Sequence, residues 1–283
     1  MKVLVTGATG FIGKYVVKEL LKTKCQIIAT SRNQDKARSY KWYSQVEYIP
    51  CDLNKALEDF FQFFQQPDLL IHLAWEGLPN YNDLFHLEKN LFSNYRFLKN
   101  MIEHGLKSML VTGTCLEYGM QNGALCESIN TIPDTPYGLA KDSLRVFLEQ
   151  LQKRINFELK WIRLFYLFGE GQNPNSILSQ LDRALEKRQS VFKMSKGEQL
   201  RDYLSVEKAA EYIVKIAMQS EISGIINCCS GTPVSIRSLV ENYLSQKRKK
   251  IHLNLGHYPY PNYEPMAFWG CDKKLKTALK EEL

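Results

Sequence analysis

Thr6-Gly7-Ala8-Thr9-Gly10-Phe11-Ile12-Gly13 closes an apolar, β-branched run at residues 3–6 and opens an amphipathic segment at residues 11–22. Glycines at three-residue spacing between a strand pattern and a helix pattern have a physical reading. Gly7 permits the tight turn, Gly10 lets the backbone approach a pyrophosphate with no Cβ in the way, and Gly13 lets the helix pack close to the strand. The first N–H groups of the helix and its dipole then face an anion. A strand-to-helix turn without a ligand can share this spacing, so the surrounding sequence decides.

Outward from that turn, apolar runs at 26–30, 46–49, 69–73, 108–112 and 159–165 alternate with amphipathic segments at 11–22, 83–103 and 139–153. In the latter, apolar residues recur at three- and four-residue spacing, which turns one helix face to a sheet. Such alternation predicts an α/β fold, a Rossmann-type doubly wound parallel sheet with right-handed crossovers. Beyond Gly169 the rhythm loosens into helices at 177–187, 206–218 and 235–243 and strands at 191–194 and 224–228. The expected organisation is a nucleotide-binding domain over 1–169 and a smaller α/β substrate-binding lobe over 170–283, with the segment 205–229 able to rejoin the main sheet.

With 283 residues and 45% hydrophobic content, the chain can bury a full core. Its net charge of +7 is dispersed, with one dense basic run at Gln246-Lys247-Arg248-Lys249-Lys250. That pattern suits anionic small molecules or plain solubility better than nucleic acid. Seven cysteines form no C-x-x-C pair and no Cys/His cluster with ligand spacing, so no metal is expected and the thiols read as reduced, in a cytoplasm. The start Met1-Lys2-Val3-Leu4-Val5 runs straight into a strand rather than a signal peptide, and no apolar stretch reaches the roughly 18 residues of a membrane span. His72, inside an apolar strand, reads as a satisfied core residue rather than a ligand.

Pro136-Tyr137-Gly138-Leu139-Ala140-Lys141 sets Tyr137 and Lys141 one helical turn apart, on one side. A phenol is a poor acid–base catalyst near neutrality, but a neighbouring ammonium favours phenolate and lowers its pKa. Thr114, at the end of the fifth strand, can add a hydroxyl to the same substrate oxygen; a surface Tyr/Lys pair is the bland alternative. At the end of the second strand, where an acid often holds a ribose hydroxyl, stand Ser31 and Arg32. Arg32 suits a 2′-phosphate through paired hydrogen bonds, or is an ordinary solvated loop charge. Trp75, past the fourth strand, can wall the active site or simply pack. The run Tyr258-Pro259-Tyr260-Pro261-Asn262-Tyr263-Glu264-Pro265 reads as a pocket wall or a rigid surface loop.

These motifs, in order, resemble the extended short-chain dehydrogenase/reductase family, in its branch of sugar-nucleotide epimerases, dehydratases and reductases. The likeness spans nearly the whole chain: T-G-x-x-G-F-I-G, Asp52-Leu53, Ile71-His72-Leu73-Ala74, Asn90, Val111-Thr112-Gly113-Thr114-Cys115-Leu116-Glu117-Tyr118-Gly119, the Tyr137 and Lys141 motif, and Arg201-Asp202-Tyr203. The resemblance implies that Tyr137 is the catalytic acid or base, that Lys141 lowers its pKa and holds the nicotinamide ribose, and that Thr114 orients the reacting oxygen. It implies cofactor contacts from Gly7, Thr9, Gly10, Phe11, Ile12, Gly13, Ser31, Arg32, Asp52, Leu53, Leu73, Ala74 and Asn90. Substrate contacts are expected from Trp75, Thr114, Tyr166, Asn175 and Arg201, the last gripping a diphosphate. Asn90 as a helix residue and Arg201-Asp202 as a local ion pair stay open as structural alternatives.

Departures narrow the reaction. A 4,6-dehydratase of this branch needs an Asp-Glu pair directly after the threonine, and here Cys115 and Leu116 stand there, neither able to supply the acid. Tyr166 replaces the Asn common among relatives. The expected activity is reduction of the 4-keto group of a nucleoside-diphosphate 4-keto-6-deoxyhexose for a bacterial surface polysaccharide, with NADP(H) favoured through Ser31 and Arg32 and NAD(H) possible. An NAD-dependent 4-epimerase and a non-catalytic cofactor-binding regulator are the alternatives. Relatives pair the counterparts of the 83–103 and 139–153 helices across a dimer, and Phe92, Tyr95, Phe97 and Phe147 suit either that homodimer or packing within one chain.

Overall fold

A computed structural model of the chain describes residues 1–260 and 265–280. Its first half runs β1 (Lys2–Thr6), α1 (Gly13–Leu20), β2 (Gln26–Thr30), α2 (Gln34–Arg38), β3 (Glu47–Tyr48), α3 (Phe60–Phe63), β4 (Leu69–His72), α4 (Leu91–Glu103), β5 (Ser108–Thr114), β6 (Gly123–Leu125), α5 (Pro136–Gln152) and β7 (Glu158–Leu164). There follow β8 (Tyr166–Phe168), α6 (Ile177–Glu186), β9 (Val191–Lys193), β10 (Leu200–Ser205), α7 (Val206–Met218), β11 (Gly224–Cys228), β12 (Pro233–Ser235), α8 (Ile236–Gln246), β13 (His252–Asn254), β14 (Phe268–Gly270) and α9 (Lys273–Leu279).

The central sheet has the order β11-β7-β5-β4-β1-β2-β3, and every pairing in it is parallel. The period-2 alternation of side chains sorts each strand between two cores. Val3, Val5, Ile27, Ala29, Leu69 and Ile71 join Val16, Val17 and Ile213 of α1 and α7 on one face. Leu4, Ile28 and Leu70 join Phe60, Phe97, Leu144 and Leu148 of α3, α4 and α5 on the other. The doubly wound parallel sheet expected from the sequence is therefore present. The strand order turns outward in both directions from β1, so a crevice opens at the carboxyl ends of β1 and β4, the place where such sheets take ligands.

Residues 224–228 form β11 and extend the main sheet along β7. The remainder builds a three-stranded sheet β12-β10-β8 and the parallel pairs β13-β9 and β14-β6, with α6 and α8 closing over Leu181, Phe192, Met194 and Val240. Helix starts follow their caps: Thr135, Ser176, Ser205 and Ser235 each accept an N–H from the first turn, and Pro136 opens α5 where no N–H is needed.

Several elements depart from expectation. The helix foreseen from residue 83 begins with a π-turn at His86–Asn90 and becomes α-helical at Leu91. There Asn90 Nδ2 donates to the Glu76 carbonyl at 3.0 Å, and Ser93 and Asn94 bond backbone carbonyls within the turn. Strand β3 shrinks to two residues, and β10, which carries Arg201, has too little alternation to be read as a strand in isolation. Phe97 is core, Tyr95 and Phe147 pack ring to ring at 5.2 Å, and Phe92 alone of the four stands 58% exposed. Pro261, Asn262, Tyr263 and Glu264 of the proline- and tyrosine-rich run lie outside the described residues. Among the described residues no helix is long and apolar enough to cross a membrane.

Candidate active site

A cleft of about 310 Å³ lies at the crevice, lined by Gly7, Thr9, Gly10, Ser31, Arg32, Asp52, Leu53, Leu73, Ala74, Trp75 and Asn90, all of them singled out in the sequence. The glycines are sterically required. Gly7 has φ +67°, and a Cβ there would sit 2.9 Å from the Ala74 nitrogen; a Cβ on Gly13 would sit 2.1 Å from the Gly7 carbonyl. Gly10 N–H closes the turn onto Gly7 O at 2.9 Å. Phe11 packs edge-on to Tyr15, and Ile12 caps α1 against the core rather than lining the cleft. A backbone cradle cleared of side chains at the start of an eight-residue helix fits a dinucleotide pyrophosphate.

The floor of the cleft is pinned by a hydrogen-bond chain. Thr6 Oγ1 accepts from the N–H groups of Leu73 and Ala74 at 3.2 and 3.4 Å and bonds His72 Nδ1 at 2.9 Å, while His72 Nε2 donates to Asn94 Oδ1 at 2.8 Å. His72 is thus a satisfied core histidine, held neutral by burial with its pKa down to about 3. At the rim, Ser31 Oγ accepts from Thr9 Oγ1 at 2.9 Å and bonds the Tyr48 hydroxyl at 2.8 Å. Arg32 forms an ion pair with Glu76.

Beside the cleft, β5 ends in Thr114, which caps the 3₁₀ turn Cys115–Tyr118 in a reciprocal capping box with Glu117. Glu117 is fully buried, accepting from Thr114 N at 2.9 Å, Trp161 Nε1 at 3.0 Å and Arg163 Nε at 2.7 Å. Gly113 makes room for it, because a Cβ there would sit 2.2 Å from Trp161 Nε1 and 2.3 Å from Glu117 Oε1. The α5 helix seats on this turn equally closely: a Cβ on Gly138 would meet Leu116 O at 2.7 Å. That seating brings the Tyr137 phenol within hydrogen-bonding reach of the Thr114 side chain.

Tyr137 lies in an aromatic enclosure, with ring centres 6.0 Å from Trp75, 5.5 Å from Tyr81 and 5.2 Å from His86. Lys141 donates to the Thr112 carbonyl at 2.7 Å and stands 3.9 Å above the Trp75 ring. Burial brings its ammonium down to about 7, against the pull of Glu117. The sequence led us to expect that Lys141 lowers the phenol's pKa. The direction is the opposite: burial, with Tyr81, Glu117 and Cys115 adding to it, holds Tyr137 well above the ordinary phenol range. Its hydroxyl is thus held protonated.

On the far side, Arg201 is buried, with Nη1 donating to the Leu200 and Met266 carbonyls at 2.9 and 3.3 Å and its guanidinium 4.6 Å from the Phe268 ring centre. Asp202 accepts from the backbone N–H groups of Ser230, Gly231 and Gly270. Tyr166 packs against Tyr203 and Phe268, so Arg201 and Tyr166 share one cluster around Phe268. Asn175 stands exposed in the turn before α6, its carbonyl accepting from Gln180 Nε2. Cys115 is buried among Tyr118, Leu125, Phe165 and Phe268.

Glu76, Tyr81 and His86 were not singled out from the sequence, and Glu117 entered only as part of the motif at residues 111–119. Glu117 had a signal, since Thr114-Cys115-Leu116-Glu117 spells a capping box. His86 carries none; the fold gives it two donors on Nδ1, Trp75 Nε1 at 3.1 Å and Asn90 Nδ2 at 3.2 Å, and aims Nε2 at the Asn80 carbonyl.

Known proteins share this architecture. The chain is 34% identical over 273 residues, 96% of its length and 100% of the relative's, to the dTDP-6-deoxy-L-talose 4-dehydrogenase (NAD(+)) of Aggregatibacter actinomycetemcomitans. It is 24% identical to the dTDP-4-dehydro-6-deoxyglucose reductase of Escherichia coli, across 88% of this chain and 82% of that one. Its backbone matches the UDP-glucuronic acid 4-epimerase of Bacillus cereus, solved with UDP-glucuronic acid and NAD, at a TM-score of 0.84 and 23% identity over 100% of this chain and 94% of the other, a likeness of fold. The sequence profile of the NAD dependent epimerase/dehydratase family matches residues 3–229, and with the glycine cradle and the Thr114, Tyr137 and Lys141 constellation in place, the chain belongs to that family.

Proposed function

We propose that this chain catalyses oxidoreduction at C4 of a nucleoside-diphosphate 6-deoxyhexose, converting the 4-keto sugar to the 4-hydroxy sugar with a nicotinamide cofactor. The observation that carries the reading is Tyr137 buried at the start of α5, enclosed by Trp75, Tyr81 and His86 and seated on the turn that Thr114 caps, while Cys115, at a dehydratase's acid position, is turned into an apolar cluster. A bound nicotinamide supplies the hydride. Around it, Gly7, Gly10 and Gly13 leave room for the pyrophosphate, and Trp75, Tyr81 and His86 keep water from the phenol. Thr114 fixes the carbonyl oxygen by hydrogen bonding, and Tyr137 gives that oxygen its proton as negative charge builds there. Lys141, whose ammonium burial brings down to about 7, restores the proton or stabilises the phenolate left behind. Arg201, beside Phe268, supplies the charge for the diphosphate.

Relatives named as 4-dehydrogenase and 4-reductase perform the two directions of such a step, which favours this chemistry. Both NADP(H), suggested by Ser31 and Arg32, and NAD(H), named for the relative 34% identical, suit the cradle. Relatives also include the UDP-glucose 4-epimerase of Halalkalibacterium halodurans, 26% identical, and 4-epimerisation is the second reading. Incubation with NADH or NADPH and a panel of 4-keto-6-deoxyhexose nucleotides, following cofactor absorbance, decides between them. Cofactor oxidation is expected. No oxidation across the panel, with two 4-hydroxy sugar nucleotides interconverting without added cofactor, would replace reduction by epimerisation.

The partner proposed for the exposed apolar residues of α4 and α5 is a second copy of the chain. Phe92, Leu139 and Val146 are 58%, 43% and 37% exposed there. Sedimentation of the protein as a dimer that Phe92→Asp dissociates is the expected result; a monomer in both cases would refute it.

A further inference from the structure

The end of β2 lacks the acid that commonly binds an adenosine ribose, yet the cleft holds two others, Asp52 and Glu76, and Glu76 is the one paired with Arg32. Glu76 lies just past Leu73-Ala74-Trp75 and lines the cleft together with Ser31 and Arg32. Its backbone is anchored, with the carbonyl accepting from Asn90 Nδ2 at 3.0 Å. Its carboxylate is engaged from three sides: by the Arg32 guanidinium, by Lys89 Nζ at 3.4 Å and by Asn54 Nδ2 at 3.3 Å. The Glu76 side chain is 21% exposed and that of Arg32 60%, so the acid is the fixed member and the arginine comes to it.

We propose that Glu76 supplies from beyond β4 the acid missing after β2, and that by occupying Arg32 it sets the cleft for a 2′-hydroxyl, hence for NAD(H) over NADP(H). The inference rests on the reading of this cleft as the dinucleotide site. A 2′-phosphate brings close to two negative charges. To bind, it must draw Arg32 away from Glu76 and then sit beside a carboxylate that stays where it is, so repulsion offsets much of what the guanidinium offers. An uncharged hydroxyl leaves the pair intact and can donate to the carboxylate, as ribose hydroxyls do to the acid usually found after β2. Ser31 does not tip the balance toward phosphate, because its hydroxyl is already bonded to Thr9 and Tyr48.

Equilibrium binding of NADH and NADPH, read by nucleotide fluorescence or calorimetry on the purified protein, tests this without any turnover. The wild-type protein is expected to bind NADH more tightly, and Glu76→Gln to move the ratio of the two Kd values toward NADPH by about tenfold or more, the scale of a freed charge pair. Arg32→Ala introduced into Glu76→Gln should abolish that gain, which ties it to the arginine rather than to a general loosening. A wild-type preference for NADPH, or a Glu76→Gln ratio equal to that of the wild type, would overturn the proposal while leaving the cleft's identity intact. Failure of the wild type to bind either dinucleotide would overturn the reading of the cleft, and the proposal with it.

Discussion

Arg163 Nε meets Glu117 Oε2 at 2.7 Å, and both side chains are sealed from solvent, 1% and 0% exposed. Burial pushes the Glu117 carboxyl up, but Arg163, Trp161 and the Thr114 N–H all donate to it, and as a carboxylate it holds the backbone of Thr114. Removing one partner strands the other charge in the interior, which costs about 3–5 kcal/mol. Glu117→Ala should therefore lose stability on that scale in urea unfolding. A loss below about 1 kcal/mol, the level of an exposed pair, would show that the network is not what fixes the turn.

Tyr137→Phe removes the proposed proton donor and keeps the ring that packs against Trp75, Tyr81 and His86. A fall in kcat of roughly 10²–10⁴, the usual worth of a positioned acid, is expected with the dinucleotide still bound. An unchanged rate would remove Tyr137 from the chemistry.

The pH dependence of stability has a specific source in His72. Burial holds its folded pKa at about 3 against an ordinary value of 6.5. Between those values the unfolded chain binds a proton that the fold refuses, so stability present above pH 6.5 is lost as pH falls toward 3. His72→Asn should flatten the difference between unfolding curves measured above and below pH 6.5, whatever its cost at neutrality. Curves for the two proteins that stay parallel on acidification would contradict the assignment.

The first half of the chain was legible because its signals are local. Alternation in β1, β2 and β4 sorts side chains to two faces, and the glycines of the first turn announce a backbone with no room for a Cβ. The second half was less so: β6 and β14 are three residues each and β10 lacks alternation, and they exist because Leu125, Arg201 and Phe268 meet partners distant in the chain. The candidate site divides the same way. Thr114, Tyr137 and Lys141 sit in contiguous motifs, whereas the Glu76 and Arg32 pair and the His86 wall arise only when β2, β4 and the π-turn converge.

Gly13→Ala is the sharpest test of the cradle. Its Cβ would fall 2.1 Å from the Gly7 carbonyl, so the first turn must open to admit it. Overpacking of this kind costs about 1–3 kcal/mol, and dinucleotide affinity should fall with it. Calorimetric binding equal to the wild type would mean that the glycine turn does not shape the cofactor site.

The central claim is hydride transfer to C4 with net consumption of the cofactor, and isotope transfer reads it directly. With NADH or NADPH deuterated at the transferable hydrogen and a 4-keto-6-deoxyhexose nucleotide, nuclear magnetic resonance of the product should show deuterium at C4 and one cofactor oxidised per sugar. Product carrying no deuterium at C4, or epimers exchanging at C4 while the added cofactor stays reduced, would contradict it.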